Sequence, residues 1–410
     1  MHSDGRYGLI GRKLGHSYSP QIHSLLGDYR YDLFEMEENE VEAFLAKRDF
    51  DAVNVTIPYK KTVMPFLDRI DDDAMKIGSV NTIVKEKDGT LTGYNTDYYG
   101  FSYMLKKGGI DVKDKKVLIL GTGGASVTVQ SVVNDLGAKE IIVASRNAQP
   151  DYDHLDPHFD SDVIINATPV GMYPNNLETL VELDKFTKTE GVADVIYNPQ
   201  STQLLLDAEK KGIKTVNGLY MLAAQAKKAA EHFFATSFDE AVIDKIVKTL
   251  SFELSNIILV GMPGCGKSTI GAKLAAAYNR KLVDTDTLIT EKASRSIPAI
   301  FEEEGEAGFR KIEAEVVKNT GKEKELVIAT GGGVIVTPEN YDALRQNGTV
   351  IFINRDINAL ATDGRPLSQQ NSLSDMFEKR LPLYRKICHY EIDGNGTVEE
   401  VTERIMRLFL

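Results

Sequence analysis

An α/β fold built on parallel sheets is what this 410-residue chain predicts. Three observations point there. Short apolar strands alternate with amphipathic helices along most of the chain. Two separate strand, glycine turn, helix units stand about 140 residues apart, at Gly121–Ser126 and Gly261–Thr269. The length exceeds what one ordinary core fills, so two or three domains are expected.

Taken in order, RYGLIG reads as a strand, and SPQIHSLLGDY opens a helix with a Ser-Pro start. YDLFEME is a second strand, VEAFLAKRD a helix, and DAVNVTIP a third strand closed by Pro58. SVNTIVKEKDGTLTGYNTD predicts two strands around a DG turn. KKVLILGTGGASVTVQSVVNDLG followed by KEIIVASR is a βαβ unit. AQPDYDHLDPHFDS, rich in proline and aspartate, reads as a loop. DVIINATPVGM and GVADVIY add strands. KTVNGLYMLAAQAKKAAEHFFA carries a long helical pattern, and DEAVIDKIVKTL a further amphipathic helix ending near Leu250. The strand NIILV starts at Asn256, leaving a linker of only 251–255, so two domains held close are expected. No internal repeat or low-complexity segment stands out.

Composition narrows the function. The net charge is −12, with no long basic run, which argues against nucleic acid and anionic membranes as partners and for small molecules. No apolar run approaches the ~20 residues that span a bilayer. The start, MHSDGRYGLIG, lacks a basic region followed by an apolar core, so no secretory signal is expected. The two cysteines, Cys265 and Cys388, make no disulfide framework, and a cytoplasmic location follows. A homo-oligomer is compatible with all of this. The acidic stretch EEEGE near Glu302 reads as a solvated helix end, and Cys388 and His389 as structural.

GMPGCGKST fits the phosphate-binding loop G-x-x-x-x-G-K-[ST] in its proper strand-to-helix setting. Gly261, Gly264 and Gly266 let backbone N–H groups turn onto phosphate oxygens, with Cys265 at a variable position of the same loop. Lys267 can reach the terminal phosphates of ATP, Ser268 can hold Mg²⁺, and Thr269 completes the helix start. GTGGAS is a variant dinucleotide turn: Gly121 makes the tight turn, Gly123 permits close approach of a pyrophosphate, and Gly124 and Ala125 open the helix. Ser126 stands where a third glycine or alanine is usual. The next strand ends in Ser145 and Arg146 rather than an acid, which favours the 2′-phosphate of NADP over a bare ribose.

GHSYSP, NVTIPYK, SVNTI, YNTDYYG, INATPVGM and YMLAAQA, in this order, resemble shikimate dehydrogenase over nearly all of residues 6–250. The resemblance implies that Ser17 and Ser19 hold a substrate carboxylate. It implies that Thr56, Asn81 and Gln225 bind ring hydroxyls or the ketone, and that Lys60 and Asp97 are the catalytic pair. Tyr197 would line the site near the nicotinamide. A lysine ammonium beside a ketone stabilises developing oxyanion charge and supplies a proton. Two departures stand out: the loop after ASRN replaces a helix and strand usual in the family, and Val127 stands where relatives often carry arginine.

Behind the phosphate loop, LVDTDTLI, FEEEGEAGFRKIEAEVV, IATGGGVI, DGRPLS and KRLPLYRK resemble shikimate kinase over residues 256–410. The resemblance implies Asp286 as the acceptor of the attacking hydroxyl's proton, Asp284 as a helper at Mg²⁺ through water, and Arg310 and Arg380 as clamps on the carboxylate. Gly331, Gly332 and Gly333 would let backbone approach substrate and γ-phosphate, and Arg365 would be the lid arginine. The lid is short, with Ala361 where relatives often carry arginine.

The expectation is a bifunctional enzyme with NADPH, ATP and Mg²⁺ as cofactors, and 3-dehydroshikimate and shikimate as small-molecule substrates. Residues 1–98 and 220–250 would form an α/β substrate domain, 99–219 a Rossmann-like NADP domain, and 256–410 a P-loop kinase domain. The alternatives are that one half is catalytically silent and binds a metabolite as a regulatory module, or that the front half acts on quinate or with NAD.

Overall fold

The computed structural model describes residues 5–15, 17–360 and 373–409. They fall into two compact units. The first comprises residues up to 169, 180–197 and 207–249; the second comprises 170–179, 198–206 and 250 onward.

The first unit holds two sheets. One is built from β1 (Tyr7–Gly11), β2 (Tyr31–Glu35), β3 (Ala52–Val55), β4 (Arg69–Ile70), β5 (Thr82–Lys85) and β6 (Leu91–Tyr94), in the order β2-β1-β3-β5-β6-β4. It is mixed: β5 runs antiparallel to β3 and β6, because the DG turn folds β5 back on β6. Helices α1 (Ser19–Leu26), α2 (Glu38–Lys47) and α3 (Asp72–Ile77) connect its strands. Helix α4 (Thr96–Gly108) then leads into the second sheet.

That sheet, β7 (Lys116–Leu120), β8 (Glu140–Ala144), β9 (Val163–Asn166), β10 (Gly191–Asp194) and β11 (Lys214–Asn217), is all parallel, in the order β11-β10-β9-β7-β8. Its central strands VLIL and VIIN are buried without alternation, as a parallel sheet covered on both faces requires. Helix α5 (Gly124–Asp135) follows the glycine turn, and α6 (Gln203–Lys210) precedes β11. One sequence expectation needs correction. KTVN is not helical; it is β11, paired with β10 from Gly191↔Lys214 to Asp194↔Asn217, and helix α7 (Leu219–Phe234) starts only after Gly218. The segment 145–162 is the expected loop, with a single 3₁₀ turn at Asp156–His158.

Helix α8 (Ala241–Leu254) runs through the residues expected to form a linker, leaving only Ser255 before β12 (Asn256–Val260). The second unit continues with α9 (Lys267–Tyr278), β13 (Lys281–Asp284), α10 (Thr285–Ala293), α11 (Ile297–Gly321), β14 (Leu326–Ala329), α12 (Glu339–Arg345), β15 (Gly348–Asn354), α13 (Leu373–Ile387), β16 (Tyr390–Asp393) and α14 (Val398–Met406). Its parallel sheet has the order β13-β14-β12-β15-β16. NIILV is buried at every position, in a core shared with Phe352 and Tyr384. The unit also takes in 170–179 and 198–206: Ser201 N donates to Gln346 O (2.9 Å) and Asn176 Nδ2 to Gln346 Oε1 (2.7 Å). The acidic stretch sits at a break in α11, where Gly305 has φ 69°, and Arg295 pairs with Glu303 and Glu304. His389 is locked to β15 by two hydrogen bonds with Val350 and is structural. No described helix is long and apolar enough to cross a membrane.

Candidate active sites

In the first unit a cavity of about 440 Å³ gathers Ser17, Ser19, Thr56, Lys60, Asn81, Asp97, Tyr197 and Gln225. Backbone hydrogen bonds explain the convergence. Tyr59 is buried and its hydroxyl donates to Met36 O (2.6 Å), while Val80 N donates to Lys60 O (2.8 Å), so the turn after β3 is pinned on both sides. Asn95 caps α4 by accepting from Tyr98 N, which places Asp97 in the first helical turn. Lys60 Nζ then meets Asp97 Oδ2 at 2.6 Å.

Gly100, one turn further along α4, explains Gln225. A Cβ there would stand 2.7 Å from Met221 O and 3.0 Å from Gln225 Cβ, so glycine is what lets α7 come close enough to present Gln225 to the cavity. Asn81 is buried, its Oδ1 accepting from Thr96 N (2.7 Å) and its Nδ2 donating to Thr96 Oγ1 (3.1 Å). Tyr18 and Tyr197 meet edge to face at 6.1 Å on one wall.

The dinucleotide turn lies apart from this cavity's lining, at the C-terminal ends of β7 and β8. Gly121 has φ 107°, and a Cβ there would meet Thr168 Cγ2 at 2.6 Å. Side-chain carbons at Gly123 or Gly124 would meet nothing within 4 Å, so the backbone face before α5 is open for a pyrophosphate. Ala125 sits in the first turn of α5 and Ser145 is buried at the end of β8. Arg146 is exposed and makes no ion pair among the described residues. The turn therefore fits NADP, with Arg146 the cation at the strand end.

In the second unit a cavity of about 440 Å³ is lined by Gly264, Gly266, Lys267, Ser268, Thr269, Asp284, Asp286, Arg310, Arg380 and Gly331–Gly333. Gly261, Gly264 and Gly266 all have positive φ, and a Cβ at Gly261 would meet Ile353 O at 2.7 Å. Lys267 Nζ donates to Gly261 O (2.9 Å) and Met262 O (3.0 Å). Cys265 is not on the cavity wall; its buried thiol lies 3.8 Å from Lys267 Nζ, and it serves the loop through its backbone. Ser268 Oγ donates to Asp284 Oδ2 (2.7 Å), while Asp284 Oδ1 caps α10 by accepting from Asp286 N (3.0 Å). The glycine loop, the lysine and the Ser268–Asp284 pair fit Mg²⁺–ATP.

The three consecutive glycines are each pressed on a different site residue. A Cβ would stand 2.6 Å from Asp286 Oδ1 at Gly331, 2.6 Å from Pro263 at Gly332 and 2.5 Å from Arg310 Nη2 at Gly333. Arg380 Nη1 and the Tyr384 hydroxyl both donate to Gly332 O, at 3.1 and 2.5 Å. Arg365 lies outside the described residues.

Comparisons with known proteins give a family for each part of the chain. A family model for the shikimate dehydrogenase substrate binding domain matches residues 9–83. A shikimate dehydrogenase (NADP(+)) of Clostridium perfringens is 38% identical over 265 residues, covering 60% of this chain and 97% of the relative. The chain belongs to the shikimate dehydrogenase family. A shikimate kinase family model matches residues 263–409, so a shikimate kinase domain follows the dehydrogenase and the chain is a bifunctional shikimate-pathway enzyme. Among solved structures, a chorismate mutase/shikimate 5-dehydrogenase fusion from Clostridium acetobutylicum is 41% identical with a TM-score of 0.57, covering 60% of this chain and 96% of that one. A shikimate dehydrogenase in complex with NADP+ is 34% identical, with a TM-score of 0.55, covering 60% of this chain and 95% of that one.

Sequence reasoning missed several residues of both sites. In the dehydrogenase, Asn54 lines the cavity; its Nδ2 donates to Thr82 Oγ1 (3.0 Å) and its Oδ1 accepts from the Tyr31 hydroxyl (2.8 Å). Tyr31 also stacks on His23 at 3.9 Å. Burial drives the His23 pKa down to about 3, so the ring stays neutral. In the kinase, Glu313 is buried and pairs with Arg310 Nη1 at 2.8 Å. Burial raises the Glu313 carboxyl above its usual range despite Arg310. Burial works against the Arg310 cation, but Glu313 and Glu306 together hold its pKa up. The signal for Glu313 was its place three residues after Arg310 on one helix face. Asn54, two residues before Thr56, shares that residue's strand face.

Proposed function

We propose that the front site reduces 3-dehydroshikimate to shikimate with NADPH, and that the rear site phosphorylates the shikimate 3-hydroxyl with Mg²⁺–ATP. The observation that carries this reading is the Lys60–Asp97 pair at 2.6 Å, set among hydroxyl and amide side chains in one cavity. When bound, NADPH supplies the hydride. Lys60 stabilises the oxyanion that develops at the ketone and gives it a proton; Asp97 orients Lys60 and accepts from a substrate hydroxyl. Ser17 and Ser19 hold the carboxylate, and Thr56, Asn81 and Gln225 the ring oxygens. Tyr197 closes the wall toward the nicotinamide. Gly121, Gly123 and Gly124 receive the pyrophosphate and Arg146 the 2′-phosphate.

In the rear site Asp286 accepts the proton of the attacking hydroxyl. Arg310 and Arg380 clamp the carboxylate with planar forks. Lys267 and the loop amides hold the phosphates, and Ser268 and Asp284 hold Mg²⁺, which supplies neutralising charge when bound. In this reading the sheet of β1–β6 with α7 is the substrate domain, the sheet of β7–β11 the cofactor domain, and residues 256–410 carry the kinase. The substrates are small molecules, and a cytoplasmic setting suits both cosubstrates.

The test is to incubate the pure chain with 3-dehydroshikimate, NADPH and Mg²⁺–ATP and identify the end product by mass spectrometry. Shikimate 3-phosphate with both cosubstrates consumed is the expected result. Shikimate alone would leave the rear half a silent binding module. Turnover of quinate or NADH at a higher rate would replace the proposed substrate or cofactor.

A further inference from the structure

The kinase unit holds an arginine to which no role has yet been given. Arg355 is the first residue after β15, the strand beside β12, and β12 runs directly into the phosphate loop. The side chain is half-buried. Its Nε is shielded from solvent and has no hydrogen-bond partner. Its Nη1 lies 3.8 Å from where a side-chain carbon would stand on Gly266, so the guanidinium rests against the phosphate loop itself.

The carboxylates nearest to it in sequence and on the adjoining strand are committed elsewhere. Asp356 Oδ1 accepts from Asn358 N (2.9 Å) and Asn358 Nδ2 (3.0 Å). Asp393 Oδ1 accepts from Asn395 N (3.0 Å) and Nδ2 (2.8 Å), and its Oδ2 faces Arg404 at 3.6 Å. Among the described residues the Arg355 guanidinium makes no ion pair. Shielding a cation without a counter-charge is costly, and the cost is offset when an anion docks against it. The loop it touches is built to receive a polyphosphate. Arg146 occupies the corresponding place in the other unit: it follows β8, the strand beside the one that carries the dinucleotide turn.

We propose that Arg355 is a nucleotide-binding residue of the kinase, contacting bound ATP from the β15 side of the phosphate loop. The proposal rests on reading the rear site as an ATP-dependent shikimate kinase. Its approach is to Gly266 of the phosphate loop, so its effect falls on nucleotide and not on shikimate.

The experiment compares the full chain with its Arg355→Met and Arg355→Lys variants. Binding of Mg²⁺–ADP is measured by calorimetry at two salt concentrations, alongside KM for ATP and for shikimate. Loss of one charge-assisted contact weakens Mg²⁺–ADP about tenfold or more in R355M. R355K recovers part of it, R355M shows a shallower salt dependence, and KM for shikimate stays within about twofold. Wild-type Mg²⁺–ADP affinity in R355M overturns the proposal, as does a parallel loss of shikimate affinity and melting temperature, which would make Arg355 a packing residue. If the unaltered chain itself binds no Mg²⁺–ADP, the kinase reading falls and the role of Arg355 falls with it.

Discussion

The two cavities are nearly equal in volume and opposite in chemistry. The dehydrogenase cavity sets one ion pair, Lys60–Asp97, among serine, threonine, asparagine and glutamine side chains, with the exposed Lys13 also on its wall. The kinase cavity sets Lys267, Arg310 and Arg380 with Asp284, Asp286 and Glu313 beside an apolar wall of Ile297, Pro298, Phe301 and Phe309. On the proposed functions both take the same carboxylated ring. The difference then follows from what sits beside that ring. The kinase must hold one anion next to a polyphosphate, and only fixed cations offset that repulsion. The dehydrogenase reacts at the nicotinamide, away from the cofactor's phosphates, so neutral hydroxyls suffice for the carboxylate.

The largest effects should come from silencing each chemistry separately. Lys60→Met removes the proton donor and the charge beside the ketone, and its kcat for 3-dehydroshikimate reduction should fall by about 10²–10⁴. Asp286→Asn should lower kcat for shikimate phosphorylation by a similar factor of about 10²–10⁴. Each variant should leave the other reaction unchanged, measured as NADPH oxidation and ADP release on the same preparation. A Lys60→Met chain that keeps a tenth of its reductase activity would break the assignment of Lys60. Loss of both activities in either variant would break the picture of two self-contained sites.

The next comparison separates a charged grip from a neutral one. Arg310→Ala should raise the kinase KM for shikimate about thirtyfold, whereas Ser19→Ala should raise the dehydrogenase KM only about fivefold, because charge-assisted hydrogen bonds are roughly twice as strong as neutral ones. Raising salt should weaken shikimate binding at the kinase and barely move it at the dehydrogenase. Equal penalties and equal salt slopes would remove the distinction.

Arg310→Ala carries a second signature, in pH. It strands Glu313, whose carboxyl burial already raises, without its counter-charge, so the folded-state pKa climbs further above the unfolded value. A carboxyl shifted that way binds its proton more tightly when folded. Its contribution to stability is full below the unfolded pKa and is lost as pH rises through the folded pKa. The melting temperature of R310A relative to wild type should therefore fall further at pH 8 than at pH 5. A deficit independent of pH would mean that Glu313 finds another partner.

What the sequence made legible was local. The two glycine turns are read within nine residues each, and Lys267, Ser268 and Arg310 lie on elements whose pattern is plain. The strands VLIL, VIIN and NIILV announce buried parallel sheets by their unbroken apolarity. What stayed hidden depends on distant pairing. KTVN has no strand signal of its own and becomes β11 only because β10 offers it an edge. Gly100 looks like an ordinary glycine in α4, and its purpose appears only when α7, more than a hundred residues later, packs against it. Asn54, Tyr31 and His23 are unremarkable singly, and three separate elements must assemble before they form one polar cluster behind the cavity wall that Asn54 lines. Arg355 carries no motif at all.

That cluster gives the smallest effect and the finest test of the neutral grip. A neutral side chain binds a polar substrate group well only when it is aimed, and Asn54 has no charge to compensate for poor aim. Tyr31 donates to Asn54 on the cavity wall, so Tyr31→Phe removes the hydroxyl that orients Asn54 while keeping the ring stacked on His23. The loss of one such hydrogen bond should raise KM for shikimate about threefold, with kcat and KM for NADP unchanged. Because burial holds His23 neutral down to about pH 3, the cluster does not titrate in the working range. The penalty should therefore be the same at pH 6 and pH 9. A drop in melting temperature with KM unmoved would make the cluster a packing device. A penalty that changes between those pH values would mean that an ionised group, and not this neutral network, positions the substrate.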